Sequence, residues 1–272
     1  MTNSGEPLDY LEVIGQGRTL ASPSLPFIAV PTPAGTGAEV TRNAVLASPE
    51  HRLKASLRSP FMLARLAVVD PELTYDLPPA VTASTGLDAL TQLIEPYVSA
   101  RANPMIDALC LEGLGRAARG LARAYTDGHD VEARLDMSLA SLFGGLALAN
   151  AGLGAVHGFA AAIGGAFDAP HGAVCAALLP HVMAANLRPE TAQRYRDIAR
   201  VLVGSGDSEA EEGIEWVLRL TRTLRIPSLG SYGISEQDVP ALAQSASRAS
   251  SMKANPVSLT VDELAGILLH AL

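Results

Sequence analysis

Aromatic residues, cysteines and basic residues are all scarce in this chain, and each shortage removes a class of function. Only 4% of the 272 residues are Phe, Trp or Tyr, too few for the stacking platforms that grip single-stranded nucleic acid. The 20 Lys and Arg are outnumbered by 28 Asp and Glu, and a net charge of −8 repels a phosphate backbone, so no nucleic-acid partner is expected. The two cysteines, Cys110 and Cys175, form no CxxC pair and lie in apolar, helical-looking runs. They read as core residues of a protein kept in the reducing cytoplasm. The opening residues, Met1 to Pro7, are polar and acidic and lack the form of a signal peptide.

Charge is also missing locally. From Met137 to Phe167 there is no Asp, Glu, Lys or Arg, a stretch long enough to cross a membrane on length alone. Against a span stand Asn150, His157, the many glycines, and the lack of a flanking aromatic belt or Lys/Arg cluster. A pair of buried helices is the expectation, with no membrane partner.

What the chain does have is 48% hydrophobic residues, rich in Ala and Leu, a composition that favours helices. The first third reads differently. Phe27-Ile28-Ala29-Val30-Pro31 predicts a buried strand running into a Gly/Thr loop, and Ala44-Val45-Leu46 and Leu66-Ala67-Val68-Val69-Asp70 predict further short strands. After Leu77-Pro78-Pro79 long Ala/Leu segments follow. They break at Asn103-Pro104, Asp127-Gly128, Gly152, Ala169-Pro170, Arg188-Pro189 and Gly204-Ser205-Gly206, all residues that stop or cap helices. The expected class is α/β plus all-α, with residues 1–75 a partial α/β unit and residues 76–272 a large helical one. Two or three strands do not make a stable doubly wound sheet, so the first unit reads as the end of a larger domain.

Four polar side chains stand out against this apolar background. Asp88 and Gln92 are four residues apart in a helical stretch and share a face. His157 lies in a second helical segment, and His171 follows a Pro at a helix start. A carboxylate oxygen with two imidazole nitrogens suits Fe(II), Zn(II) or a similar ion. The other reading is two satisfied core histidines and an Asp near a helix N-terminus. The small residues of the Thr32 to Glu39 loop would let backbone amides approach a phosphate or ribose, although such loops are often plain tight turns. On their own, Lys54, His51, His129 and His270 read as surface residues, and His181 as lining the core or a cleft. Glu95 reads either as a carboxylate backing a ligand histidine or as an acid on a helix face.

Ordered motifs extend this reading along nearly the whole chain. They are Pro31-Thr32 through Gly35-Thr36 and Glu39-Val40-Thr41 to Asn43, then Asp70-Pro71, Pro78-Pro79, Thr85-Gly86-Leu87-Asp88-Ala89-Leu90 and Glu95-Pro96-Tyr97. Gly152-Leu153-Gly154-Ala155-Val156-His157-Gly158, Ala169-Pro170-His171-Gly172 and Leu179-Pro180-His181-Val182-Met183 complete the series. Together they resemble the iron-containing (group III) alcohol dehydrogenases. The resemblance implies a dehydroquinate-synthase-like fold, an α/β nucleotide domain followed by a helical metal domain with the active site between them. It implies NAD(P)-dependent oxidation of an alcohol or reduction of an aldehyde, Fe(II) or Zn(II) held by Asp88, Gln92, His157 and His171, and a dinucleotide, NAD or NADP, faced by Thr32, Thr36, Asn43 and Lys54. A homo-oligomer acting on a small-molecule alcohol or aldehyde is the expected assembly.

The family pattern also shows departures. It usually has His at the position of Gln92, and an amide oxygen is the weaker ligand. It commonly places another His one turn after His157, where this chain has Ala161. Its Gly-Gly-Gly-Ser pyrophosphate turn is found nowhere in this chain. The expectation is thus an N-terminally truncated member with impaired activity. The alternatives are a metal-free subgroup, a helical metal-binding or oligomerising remnant without catalysis, and a reductase resembling the maleylacetate or phosphonate-aldehyde enzymes.

Overall fold

The structure, a computed structural model, describes residues 2–48, 50–51 and 53–272. The first part holds a single-turn helix α1 (Pro7–Tyr10) and four strands, β1 (Ile28–Ala29), β2 (Asn43–Ser48), β3 (Leu53–Arg58) and β4 (Leu66–Ala67). β1 pairs in parallel with β4, Ile28 opposite Leu66 and Ala29 opposite Ala67. β2 and β3 form an antiparallel hairpin running from Asn43 opposite Arg58 to Ser48 opposite Leu53.

Two sequence expectations change here. The segment around Phe27 to Pro31, expected to be buried, is open: Ile28 is 62% exposed and its partner Leu66 is 52% exposed. Strands of a parallel sheet are ordinarily covered on both faces, but among the described residues nothing buries the face that carries Ile28 and Leu66. The strand β3 was not anticipated. Its Lys54 and Arg58 give it a mixed-charge texture that imitates a loop.

From Pro79 onward the chain is helical. The order is α2 (Pro79–Val98), α3 (Pro104–Thr126), α4 (Val131–Ala151), α5 (Ala155–Ala166), α6 (His171–Asn186), α7 (Ala192–Val203), α8 (Ala210–Thr223), α9 (Val239–Ala246) and α10 (Val261–Ala271). The breaks carry the chemistry that produces them. Asn103 caps α3 by accepting the Ile106 N–H at 3.2 Å, and Asp130 caps α4 by accepting the Ala133 N–H at 3.1 Å. Gly152 ends α4 at a φ of +76°, a backbone state that other residues adopt only with strain.

Helix α2 is the axis of the helical part. It packs against α3, α4, α6 and α7, and every residue from Gly86 to Val98 is buried. A helix surrounded on all sides has no polar face to spare, so each polar group on it must find an internal partner. Among the described residues, no single helix is long and apolar enough to cross a membrane. The uncharged stretch from Met137 to Phe167 folds as most of α4 and all of α5, which bend by 98° at Gly152 to Gly154.

Candidate metal centre

Three helices converge on one small volume. Helix α2 contributes Asp88, Gln92 and Glu95, spaced so that all three share a face. Helix α5 contributes His157, and α6 contributes His171 as its first residue, with Cys175 one turn later.

The start of α5 is fixed by side chains that take up its free N–H groups. Glu95 Oε1 accepts the Val156 N–H at 2.7 Å, and Asn255 Oδ1 accepts the Ala155 N–H at 3.1 Å. Asn255 is itself tied to Asn186 by bonds of 3.0 and 2.8 Å. Gly154 is needed at this junction because a Cβ there would sit 2.8 Å from Asn255 Oδ1 and 3.0 Å from Glu95 Oε1.

The other oxygen of Glu95, Oε2, lies 2.6 Å from His157 Nδ1. That contact places the ring proton on Nδ1 and turns the opposite nitrogen, Nε2, toward Asp88 Oδ1 at 3.4 Å. His171 Nε2 lies 3.7 Å from the same oxygen. Gln92 Nε2 donates to the second Asp88 oxygen, Oδ2, at 3.2 Å.

Burial alone would raise the Asp88 carboxyl, but the close approach of His157, the charges of both histidines and the Gln92 amide hold it below the usual carboxylate range. Burial opposes charge on His157 as well, yet Glu95 and Asp88 on either side push it up to about 10. Two carboxylates flanking one imidazole thus call for a positive charge between them. Burial, chiefly, lowers His171 and so favours its neutral ring. Burial, reinforced by Asp88 and Glu95, pushes the Cys175 thiol well up.

The donor atoms are not satisfied by one another. Asp88 Oδ1, His157 Nε2 and Gln92 Oε1 are buried and have no hydrogen-bond partner. Buried polar atoms without partners are costly, and three in one place fit the donor set of a cation. The spacing fits: with metal–ligand bonds of about 2.0–2.1 Å, tetrahedral neighbours stand about 3.4 Å apart. The donor atoms of Asp88, His157, His171 and Cys175 all lie within 4.8 Å of one another. The residues present therefore fit a divalent metal.

Gln92 and Cys175 both border the cluster: Gln92 Oε1 is left without a partner, and Cys175 is in the core as expected while also lying beside His171. Gln92, expected as a ligand, is engaged with Asp88 Oδ2. Cys175, expected as a plain core residue, has its Sγ 3.7 Å from His171 Nε2. Its four-residue spacing from His171 on a helix was the signal that could have found it. Cys110 does sit in the core, with burial pushing its thiol up to about 12. His181 stacks on the exposed His270 with ring centroids 5.9 Å apart, away from the candidate ligand set.

The Gly/Thr loop lies against the same helices. Gly35 packs on Thr85 of α2, and Gly172 of α6 packs on the Ser84 carbonyl one residue earlier. Gly37, in the left-handed region at φ +58°, meets Gly145 of α4 so closely that a Cβ on either would collide with the other's backbone. Thr32 and Thr36 are exposed on this loop, and Asn43 and Lys54 are half-buried on β2 and β3. Lys54 reaches over Gly164 of α5, and its charge helps to lower His171. The end of this loop is a 3-10 turn, Ala38–Val40.

A strand-to-glycine loop set beside a carboxylate–imidazole cluster at the heart of a helical body is the build of a metal-dependent dehydrogenase. Models of known families make the assignment specific: residues 82–272 match the C-terminal part of the Fe-containing alcohol dehydrogenase family, and residues 1–71 match iron-containing alcohol dehydrogenase. The chain belongs to this family of oxidoreductases, which act on alcohols and aldehydes.

Alcohol dehydrogenase 4 of Saccharomyces cerevisiae is 39% identical over 272 residues, covering 99% of this chain and 70% of the yeast protein. The crystal structure of a 1,3-propanediol oxidoreductase superposes with a TM-score of 0.92 at 37% identity, covering 100% of this chain and 71% of that one. A sulfoacetaldehyde reductase from Bifidobacterium kashiwanohense, solved in complex with NAD+, superposes at 0.86 and 30% identity, covering 99% and 70%.

Proposed function

We propose that Asp88, His157 and His171 hold a divalent metal, Fe(II) or Zn(II), at which a small alcohol or aldehyde is bound for exchange of a hydride with NAD or NADP. The carrying observation is that the buried Asp88 Oδ1 and His157 Nε2 face each other at 3.4 Å and have no hydrogen-bond partner. A bound metal supplies Lewis acidity to the substrate oxygen, worth several kcal/mol of charge stabilisation. The chain's own residues do the rest. Glu95 holds the His157 ring so that Nε2 faces inward, Gln92 pins Asp88, and α6 brings a neutral His171 to the open side of the cluster.

Thr32, Thr36 and Asn43 face the dinucleotide in this reading, and Lys54 adds a positive charge near it. Support comes from the shared contact of Gly35 and Gly172 with Ser84 and Thr85, which sets the loop beside His171. The NAD+ held by the sulfoacetaldehyde reductase supports the same cofactor class here. Two functional units, 1–75 for the nucleotide and 76–272 for metal and substrate, follow from this division of labour. A reducing cytoplasm suits a site with the Cys175 thiol at its edge.

Elemental analysis of anaerobically purified protein beside an Asp88→Ala variant tests the metal assignment. Near-stoichiometric iron or zinc that vanishes in the variant is expected, and equal metal in both would remove Asp88 from the centre. Oxidation of NADH or NADPH with a panel of short aldehydes tests the activity.

A further inference from the structure

We propose that Cys175 Sγ, and not the Gln92 amide, is the fourth protein donor to the metal. The ligand set becomes one carboxylate oxygen, two imidazole nitrogens and one thiolate sulfur. This inference rests on the metal reading above and concerns which of this chain's own side chains completes the site.

The sulfur is in position. Cys175 Sγ stands 3.7 Å from His171 Nε2 and within 4.8 Å of the donor atoms of Asp88 and His157. With a metal–sulfur bond of about 2.3 Å and a metal–nitrogen bond of about 2.0 Å, a tetrahedral edge is about 3.5 Å. The gap is thus close to that of two ligands of one ion. The thiol is fully buried, and the neighbouring Asp88 Oδ1 and His157 Nε2 lack partners, so more than a lone cysteine marks the place.

Gln92 is the competitor, since its Oε1 also lacks a partner. Its orientation is set by the 3.2 Å bond from Nε2 to Asp88 Oδ2. Turning the amide over would place its oxygen against a carboxylate oxygen. Between an amide carbonyl and a thiolate, Zn(II) and Co(II) prefer the sulfur, while Mg(II) and Mn(II) prefer oxygen. Gln92 is then a positioning residue for Asp88. Binding converts the thiol to a thiolate and releases one proton to solvent as the metal–sulfur bond forms.

The experiment loads the metal-free full chain with Co(II) under anaerobic conditions and records its absorption spectrum and stoichiometry. One bound cobalt with a thiolate-to-cobalt charge-transfer band in the near ultraviolet is expected. The band should persist in Cys110→Ser and Gln92→Ala and vanish in Cys175→Ser, with cobalt affinity in the last falling at least tenfold. The Cys110→Ser spectrum identifies the sulfur without altering Cys175, so the assignment survives a Cys175 variant that fails to fold. Cobalt bound in an Asp88-dependent way without the band overturns this inference and leaves the metal centre standing. Failure to bind cobalt at all overturns both.

Discussion

Glu95 holds His157 twice over: Oε2 meets the ring at Nδ1, 2.6 Å away, and Oε1 accepts the N–H of the preceding residue, Val156, at 2.7 Å. One carboxylate therefore sets both the tautomer of the ring and the start of the helix that carries it. In Glu95→Gln the charge is lost and the ring is held less firmly. Metal affinity is expected to fall by about 10–100-fold, as is typical when a partner behind a metal-binding histidine is removed. Competition with a chromophoric chelator measures the change, and an unaltered affinity would mean that Glu95 serves only to cap α5.

The contact between Gly37 and Gly145 fastens the Gly/Thr loop to α4, with room for no side chain on either partner. Gly145→Ala puts a Cβ 2.4 Å from the Gly37 carbonyl oxygen, so the loop must move outward. Overpacking of this kind costs about 1–3 kcal/mol. A raised KM for the nicotinamide cofactor, with metal content unchanged, is the expected kinetic signature. A variant with normal KM would show that the loop is not part of the cofactor site.

The uncovered face of the β1–β4 pair makes a third case. Ile28, Val30, Leu66 and Val68 are all exposed there. Large exposed apolar patches bind dyes and promote association. The chain should enhance the fluorescence of anilinonaphthalene sulfonate without denaturant, and Ile28→Lys with Leu66→Glu should reduce the signal while leaving metal binding intact. Equal fluorescence from the double variant would place the dye site elsewhere.

Much of this was legible because the informative residues break a pattern. Asp88, His157 and His171 are polar groups in apolar helical sequence, and Pro, Gly or Asp at the boundaries from α2 to α8 announced where those helices end. What was hidden had the wrong texture. Cys175 reads as core and is core, and only its position one turn beyond His171 puts its sulfur beside the candidate ligands. Glu95 was undecided because a helix-face acid points inward or outward according to neighbours that the local sequence does not name. β3 carries Lys54 and Arg58 and looks like a loop, since its pairing with β2 is a tertiary property. The exposure of Ile28 and Leu66 was likewise unreadable, because apolar composition predicts burial only where something lies opposite.

Acid should weaken the packing of α6 against α10. Burial, aided by the nearby His270, lowers the proton affinity of His181, so the folded state binds a proton there less readily than the unfolded chain. Stability from this source is fully present above the ordinary histidine value of about 6.5 and is lost as pH falls through the lower folded value. Thermal melts in a series of buffers below neutrality check it. His181→Asn should flatten the acid limb, and an unchanged limb would assign the loss to other groups.

The walls of the candidate centre are unequal: Asp88 and His157 are almost sealed, while the His171 side chain is 36% exposed. Of the three, His171 is the side chain that solvent reaches most readily. A metal held by this set would meet solvent on the His171 side, so its loss should depend on how firmly the first turn of α6 sits on α2. Gly172→Ala would bring a Cβ 2.3 Å from the Ser84 carbonyl oxygen, and it should change the rate at which a chelator removes the ion.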